Sequence, residues 1–292
     1  MILNNRLHDG ASSGRPHRPP AAWGFVLLMA LLSAGTARAG HITLQISTTP
    51  TVAEKQVLCT VSIVNQGDES AASVQAHVEF RGTRFSAQVM PVLAVGQSYT
   101  GNFQIPRDRL ASGRYTLVVM TDYTDTNGYP FTALSTAGFV VGEDFPPQIH
   151  GMAEPVELGG TEPLTLRLKN QGKKDLQAQL RLVLPKEISA DPVERVLGLG
   201  ALQENDAAFS LRNFSALEGS TYQVFVLAEY SDAGRHSSLP IPCTVKIVAA
   251  RSFFQKYKIW ILVAGSLLGL LFVGIQLYSF VSRRRSSLHS RP

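Results

Sequence analysis

Cysteine is scarce, with Cys59 and Cys243 the only two in 292 residues. That excludes a disulfide-stapled scaffold and a thiolate metal cluster. Paired histidines are missing as well. Between Gly40 and Lys258 only His41, His77, His150 and His236 occur, and none has the close-spaced partner that a zinc site uses. Each is predicted to be a surface or loop histidine. No Gly-x-Ser-x-Gly elbow is present, and Gly265-Ser266 falls inside an apolar run, so nucleophilic catalysis has no motif. Acidic residues are scattered and single out no carboxylate pair. Charge is low at 17%, yet the net charge of +5 and pI near 9.3 first suggest an acidic partner. Counting by segment removes that suggestion. From Gly40 to Lys258 there are 19 Lys and Arg against 21 Asp and Glu, a net of −2, so no basic stripe for nucleic acid exists. The expectation is a chain with no cofactor, no metal, no nucleic-acid partner and no enzymatic role.

What the sequence does contain is an uncharged run from Ile259 to Val281. As a helix rising about 1.5 Å per residue it can cross a bilayer core of roughly 30 Å. Tyr257 and Trp260 mark one interface, Tyr278 and Phe280 the other, and Arg283, Arg284 and Arg285 follow at once, which predicts a cytoplasmic C-terminus. At the other end of the chain, Arg6, Arg15 and Arg18 precede a short apolar stretch from Ala21 to Leu32, which leads to Ala37-x-Ala39. This reads as a signal peptide over 1–39, cleaved after Ala39. An uncleaved anchor is the alternative.

Between the two segments the sequence repeats. Leu58–Phe80 aligns with Pro163–Leu184 through Asn-Gln-Gly at 65–67 and 170–172, and Tyr115–Asp125 aligns with Tyr222–Asp232. Within each copy the period is 2. Cys59, Val61 and Ile63 alternate with Thr60 and Ser62, as Leu164, Leu166 and Leu168 do with Thr165, Arg167 and Lys169, which predicts strands with one buried and one wet face. In the first copy the strands are expected near Ile42–Ser47, Gln56–Asn65, Ser73–Phe80, Phe85–Met90, Ser98–Ile105, Arg114–Tyr123 and Phe131–Val141. About seven short strands per copy, with Gly, Pro and Asn between them, predict an immunoglobulin-like sandwich. The predicted fold class is therefore all-β, with two tandem immunoglobulin-like β-sandwiches and one C-terminal transmembrane helix. Tyr115 and Tyr222 stand where a tyrosine corner would sit. Asn127-Gly128 suits a two-residue type I′ hairpin. Both cysteines fall on apolar faces of different modules, so they are expected to stay unpaired.

An apolar strand ending in Asn65-Gln66-Gly67, the polar run Asp68-Glu-Ser-Ala-Ala72, and later Tyr123-Thr-Asp125-x-x-Gly128 before a final strand resembles the bacterial CARDB-type module, a cell-adhesion-related domain, or a related envelope immunoglobulin-like module, in two copies over most of residues 40–248. The second copy departs from this pattern, with Asp232-Ala-Gly234 in place of Asp125-Thr-Asn-Gly128. The resemblance implies extracytoplasmic binding or scaffolding.

Few residues offer themselves as sites. Asp122 and Asp125 form an acidic stretch with Gly128, but in EF-hand register Tyr123 and Leu134 occupy positions that need carboxylates; a looser calcium contact through Asp122 and Asp125 stays open. Asn213-Phe214-Ser215 matches a glycosylation sequon and matters only in a host that reads it. Gly265-x-x-x-Gly269 would let a second helix approach closely. Exposed loops at Gly67–Ser70 and Gly172–Asp175 are places to look for contacts.

The expected organisation is a signal peptide (1–39), two modules (40–145 and 146–250), a juxtamembrane linker (251–258) in which Phe253 and Phe254 touch the interface, a crossing (259–281) and a basic tail (282–292). Phe145-Pro146-Pro147 is expected to join the modules semi-rigidly. The expected role is that of an envelope accessory subunit binding a protein or polysaccharide of the envelope, with the bilayer and a transmembrane helix as further partners. An adhesin for an external ligand is the runner-up, and an envelope enzyme the third reading.

Overall fold

The computed structural model describes residues 40–108, 110–250 and 253–288, without the side chains of 253–256 and 277–288. The expected signal peptide lies outside these residues. The first sandwich comprises β1 (Leu44–Val52), β2 (Gln56–Asn65), β3 (Ala71–Phe80), β4 (Thr83–Ser86), β5 (Met90–Leu93), β6 (Ser98–Pro106), β7 (Gly113–Thr124) and β8 (Pro130–Val141). One antiparallel sheet runs β1-β2-β6. In the facing sheet β7 pairs with β3 and β8, and β3 carries β4 and β5 on its far side. The single strand expected near Phe85–Met90 is thus two short ones.

The second sandwich contains β9 (Ile149–Ala153), β10 (Val156–Leu158), β11 (Thr161–Asn170), β12 (Leu176–Val183), β13 (Ile188–Asp191), β14 (Glu194–Leu199), β15 (Glu204–Asn213), β16 (Thr221–Asp232) and β17 (Arg235–Ile247). Its sheets run β13-β15-β11-β9 and β14-β12-β16-β17, with β10 parallel to β17. The last element, α1 (Phe253–Leu288), holds a 20-residue stretch, Tyr257–Gln276, of mean hydropathy 2.2. It is long and apolar enough to cross a membrane. The helix extends beyond both ends of the 259–281 run.

Each sandwich has its own core. Val57, Cys59, Val61 and Ile63 of β2 pack with Leu117 and Val119 of β7. Leu164, Leu166 and Leu168 of β11 pack with Val224 and Val226 of β16. Cys59 faces Phe103 across the ladder as Leu164 faces Phe209. Both thiols are free and buried, one in each core, and burial pushes each up to about 11.

The one-face rule holds for β2 and β11 but fails for β7 and β16, which are buried on both faces. The cause is a third apolar cluster, in which Val118, Leu134 and the partly buried Met120 of the first sandwich meet Val183, Phe225 and Leu227 of the second. Counted from Tyr115 and Tyr222, Val118 matches Phe225 and Met120 matches Leu227. The two sandwiches therefore apply corresponding outer positions to one another. Gly113 at the start of β7 bridges His236 at the start of β17 in parallel, while Tyr129, just past the end of β7, donates to the Ser215 carbonyl, just ahead of β16. So β7 runs antiparallel to β16, and the sandwiches lie side by side.

Candidate functional site: the interface between the sandwiches

Local turns set up the interface. Asn65 and Asn170, both fully buried, end β2 and β11 in matching ways. The Asn65 amide donates to the carbonyls of Glu69 (2.8 Å) and Leu93 (3.1 Å), and its oxygen accepts from Gly67 N (3.0 Å). Asn170 donates to Lys174 (2.7 Å) and Leu199 (3.2 Å) and accepts from Gly172 N (2.8 Å). The Asn-Gln-Gly tripeptide is thus a loop-closing device that satisfies otherwise stranded backbone groups. Gly67 is required there, because a Cβ would run into the His41 backbone.

The hairpin after β7 differs from the expected type I′ turn. Gly128 has φ +80°, but Asn127 does not have positive φ. Gly128 N bonds the Asp125 carbonyl at 3.0 Å and Asp125 N bonds the Tyr129 carbonyl at 3.1 Å, giving a three-residue loop with a left-handed glycine. Asp125 drives the change, since its Oδ1 accepts from Asn127 N (2.9 Å) and Tyr129 N (2.7 Å). The Asp122 carboxylate faces other partners: Thr132 Oγ1 (3.0 Å), His77 Nε2 (3.2 Å) and Lys186 Nζ (2.5 Å). The two residues offered as a calcium contact thus serve separate bonds. Among the described residues no group of three or more His, Cys, Asp or Glu could hold a metal.

Two of the four histidines are not the surface or loop residues predicted. His77 is buried, with Ser86 Oγ 2.8 Å from Nδ1 and Asp122 beyond Nε2. His236 stacks on Tyr115 at 4.4 Å between ring centres. Burial lowers both pKa values, and the nearby carboxylates, Asp122 and Glu229, oppose that shift. The partners come from other strands, and Tyr115 comes to His236 from the other sandwich, so sequence neighbours gave no warning. Ser86, His77 and Asp122 are residue types that build a nucleophilic triad. Lys186 compensates the Asp122 charge, however, and neither cavity described below opens onto Ser86. The chain of bonds ties β4, β3 and β7 to the second sandwich.

Glu187, between β12 and β13, is the other buried charge, at 2% exposure. It accepts from the Thr132 backbone of the first sandwich, and its Oε2 has no partner. Burial raises its pKa, and it in turn helps raise Tyr123, pushed up to about 12 mainly by its own burial. Arg181 reaches back to Glu79 at 2.8 Å. The tyrosine corner forms in the first sandwich, where Tyr115 donates to the Ala111 carbonyl at 2.9 Å. In the second, the buried Tyr222 hydroxyl makes no such backbone bond.

Two concavities flank the apolar contact. One, of about 240 Å³, lies at the crossover between sandwiches and is lined by Arg114, Gln148, Tyr230, Asp232, Arg235 and His236. Its walls are already committed: Arg114 pairs with Asp144 (2.7 Å), Arg235 lies 4.1 Å over the Phe145 ring, and Gln148 donates to Tyr230 and Asp232. The other, of about 430 Å³, is an open groove beside Arg181, Val183, Pro185 and Val193. In α1, a Cβ at Gly265 or Gly269 would meet nothing within 4 Å, so the single chain leaves that face uncovered.

Comparison with known proteins places the first sandwich. Residues 41–126 match the CARDB family model, which takes in β1 to β7 and stops before β8. No curated protein matches the chain. Solved structures similar to it include the CsuC–CsuE chaperone–tip adhesion subunit pre-assembly complex from archaic chaperone–usher Csu pili of Acinetobacter baumannii, at 15% identity, 34% coverage of this chain, 57% of that chain and TM-score 0.25. This chain therefore spans little more than half the length of that one. PapD-like domain 7 of human CEP192 is 13% identical, over 38% of this chain and 95% of its own, at TM-score 0.27. Trypsin-activated alpha-2-macroglobulin of Escherichia coli is 11% identical, over 70% of this chain and 18% of its own, at TM-score 0.28.

Proposed function

We propose that this protein is a single-pass membrane protein whose two sandwiches form one binding platform outside the cytoplasmic membrane, serving as an accessory or scaffolding subunit of an envelope complex. The observation that carries this reading is the apolar cluster joining the sandwiches, tethered by only five residues, 248–252, to the helix α1. A body of fixed geometry held at a membrane presents a reproducible surface to a neighbouring protein or envelope polysaccharide. In this reading residues 1–39 are the export signal, the modules occupy 40–145 and 146–250, a linker covers 251–258, the helix crosses over 259–281, and the basic tail 282–292 stays in the cytoplasm. The matching Asn65 and Asn170 bonds support descent of both sandwiches from one CARDB-type module. Gly265 and Gly269 are the proposed seat for a partner helix.

Crosslinking and pull-down of the intact membrane protein test the reading, with a membrane-complex subunit as the expected capture. Protease added to spheroplasts should digest the sandwiches, and protection until lysis would overturn the orientation. The match to a cell-adhesion-related family favours a second reading, an adhesin, which predicts capture of a ligand from outside the cell. The proposal includes a non-catalytic role, and labelling of Ser86 by a serine-directed phosphonate would overturn that part.

A further inference from the structure

The loop 213–220 between β15 and β16 carries Phe214, 77% exposed, and Leu217, 41% exposed. Phe214 is the most exposed large apolar side chain among the described residues. The loop is nonetheless firmly built. Asn213 Oδ1 accepts from Ala216 N (2.8 Å) and its amide donates to the Ala216 carbonyl (3.1 Å). Phe214 N and Ser215 N both bond the Glu187 carbonyl, at 2.9 and 3.1 Å. Gly219, at φ +86°, donates to the Ile247 carbonyl at 2.9 Å. Asn213 of the glycosylation sequon is therefore occupied in shaping this loop. A loop braced this way keeps its apolar tips in solvent and cannot fold them back, so they are held ready for an apolar surface brought against them.

Chain connectivity identifies the cover. Ile247 ends β17 and α1 begins at Phe253, and six residue steps reach about 20 Å at most. Tyr257 and Trp260 lie in the first two turns of α1, where rings of this kind settle at the membrane–water boundary. The loop that bonds Ile247 is thus held within a short tether of that boundary. We propose that Phe214 and Leu217 insert into the headgroup–acyl boundary of the bilayer that α1 crosses, giving the sandwich pair a second attachment that fixes its tilt. The proposal rests on the reading of α1 as a membrane crossing with the sandwiches on its N-terminal side. Glu218 beside Leu217 is exposed, as are Arg212 and Lys246 at the same end of the sandwich, so the tips themselves are the apolar contact and zwitterionic lipid tests them apart from charge attraction.

The test uses the full chain in phosphatidylcholine vesicles, with a nitroxide attached at Phe214→Cys, at Leu217→Cys and at a control, Leu202→Cys. Leu202 is 65% exposed but bonds Gly172 at the opposite end of the second sandwich. The natural thiols, buried and pushed up to about 11, leave the introduced one to react near neutral pH. Positions 214 and 217 should show high oxygen and low nickel-chelate accessibility, with the reverse at 202. Equal water access at all three positions would overturn the lipid contact while leaving the crossing itself to the spheroplast assay. Shielding of 202 instead of 214 would overturn the topology on which the proposal rests. Shielding at 214 that occurs in native membranes but not in pure lipid would assign the loop to a protein partner and overturn the lipid assignment.

Discussion

Phe225 and Val224 are neighbours on β16 that face opposite ways, and truncating each should break a different thing. Val224 is fully buried in the core of the second sandwich, whereas Phe225, 8% exposed, packs against Val118 and Leu134 of the first. Phe-to-Ala changes in closed cores cost about 3–5 kcal/mol. The cluster here is a boundary between domains that water can refill, so about 2–3 kcal/mol is the expected cost of Phe225→Ala. That free energy belongs to the docked state, which both sandwiches share. At about 1.4 kcal/mol per tenfold, protected amides of β7 and β8 should exchange about 30- to 150-fold faster in Phe225→Ala, although no residue of the first sandwich has changed. Val224→Ala, at about 2 kcal/mol, should speed exchange in β11, β12 and β16 and leave β7 and β8 nearly as they were. Hydrogen exchange read by mass spectrometry on the full chain in micelles separates the two patterns. Unaltered exchange in β7 and β8 of Phe225→Ala would refute the idea that this cluster couples the sandwiches.

Other perturbations follow from the same contacts. Asn65→Ala removes three bonds of a fully buried side chain and should lower stability by about 3 kcal/mol in urea titration; Asn65→Asp, which points a carboxylate at two carbonyls, should do at least as much harm. Gly113→Ala combines φ +145° with a Cβ driven into the His236 carbonyl and should cost about 3 kcal/mol or more by thermal melting. For pH, the folded values of His77 and His236 lie below 6.5, so the unfolded chain binds more protons and stability falls as pH drops below that value. Glu187 acts in the opposite sense: its folded value lies above 4.5, so its contribution weakens the fold as pH rises through that raised value. Melting temperature against pH should flatten below pH 6.5 in His77→Gln, and in Glu187→Gln it should lose the decline that sets in as pH rises above 4.5.

Much of the architecture could be read from residue order. The β2 span coincides with the predicted Gln56–Asn65, because strict alternation records a strand with one face in the core. The double burial of β7 and β16 had a trace too: Leu117-Val-Val-Met120 and Val224-Phe-Val-Leu-Ala228 are unbroken apolar runs, the pattern of strands covered on both sides. Strict alternation, as in β2 and β11, marks only strands with one wet face. The polar part of the interface left no such trace. Lys186 lies 64 residues from Asp122, and Arg181 lies 102 from Glu79; such pairs exist only once the sandwiches dock. Asn127-Gly128 misled because Asp125, two residues earlier, captures the turn amides and lengthens the loop.

The antiparallel placement of β7 and β16 has a consequence for height. His41 bonds Asp68, Glu69 bonds Thr126, and Tyr129 bonds Ser215, so the chain enters the first sandwich at the same end from which Ile247 leaves the second. Each of these strands has 12 residues, about 40 Å, and the pair stands one strand tall. A second domain here broadens the body and adds nothing to its length, so the far ends of both sandwiches lie one strand, about 40 Å, from the end at which Ile247 leaves.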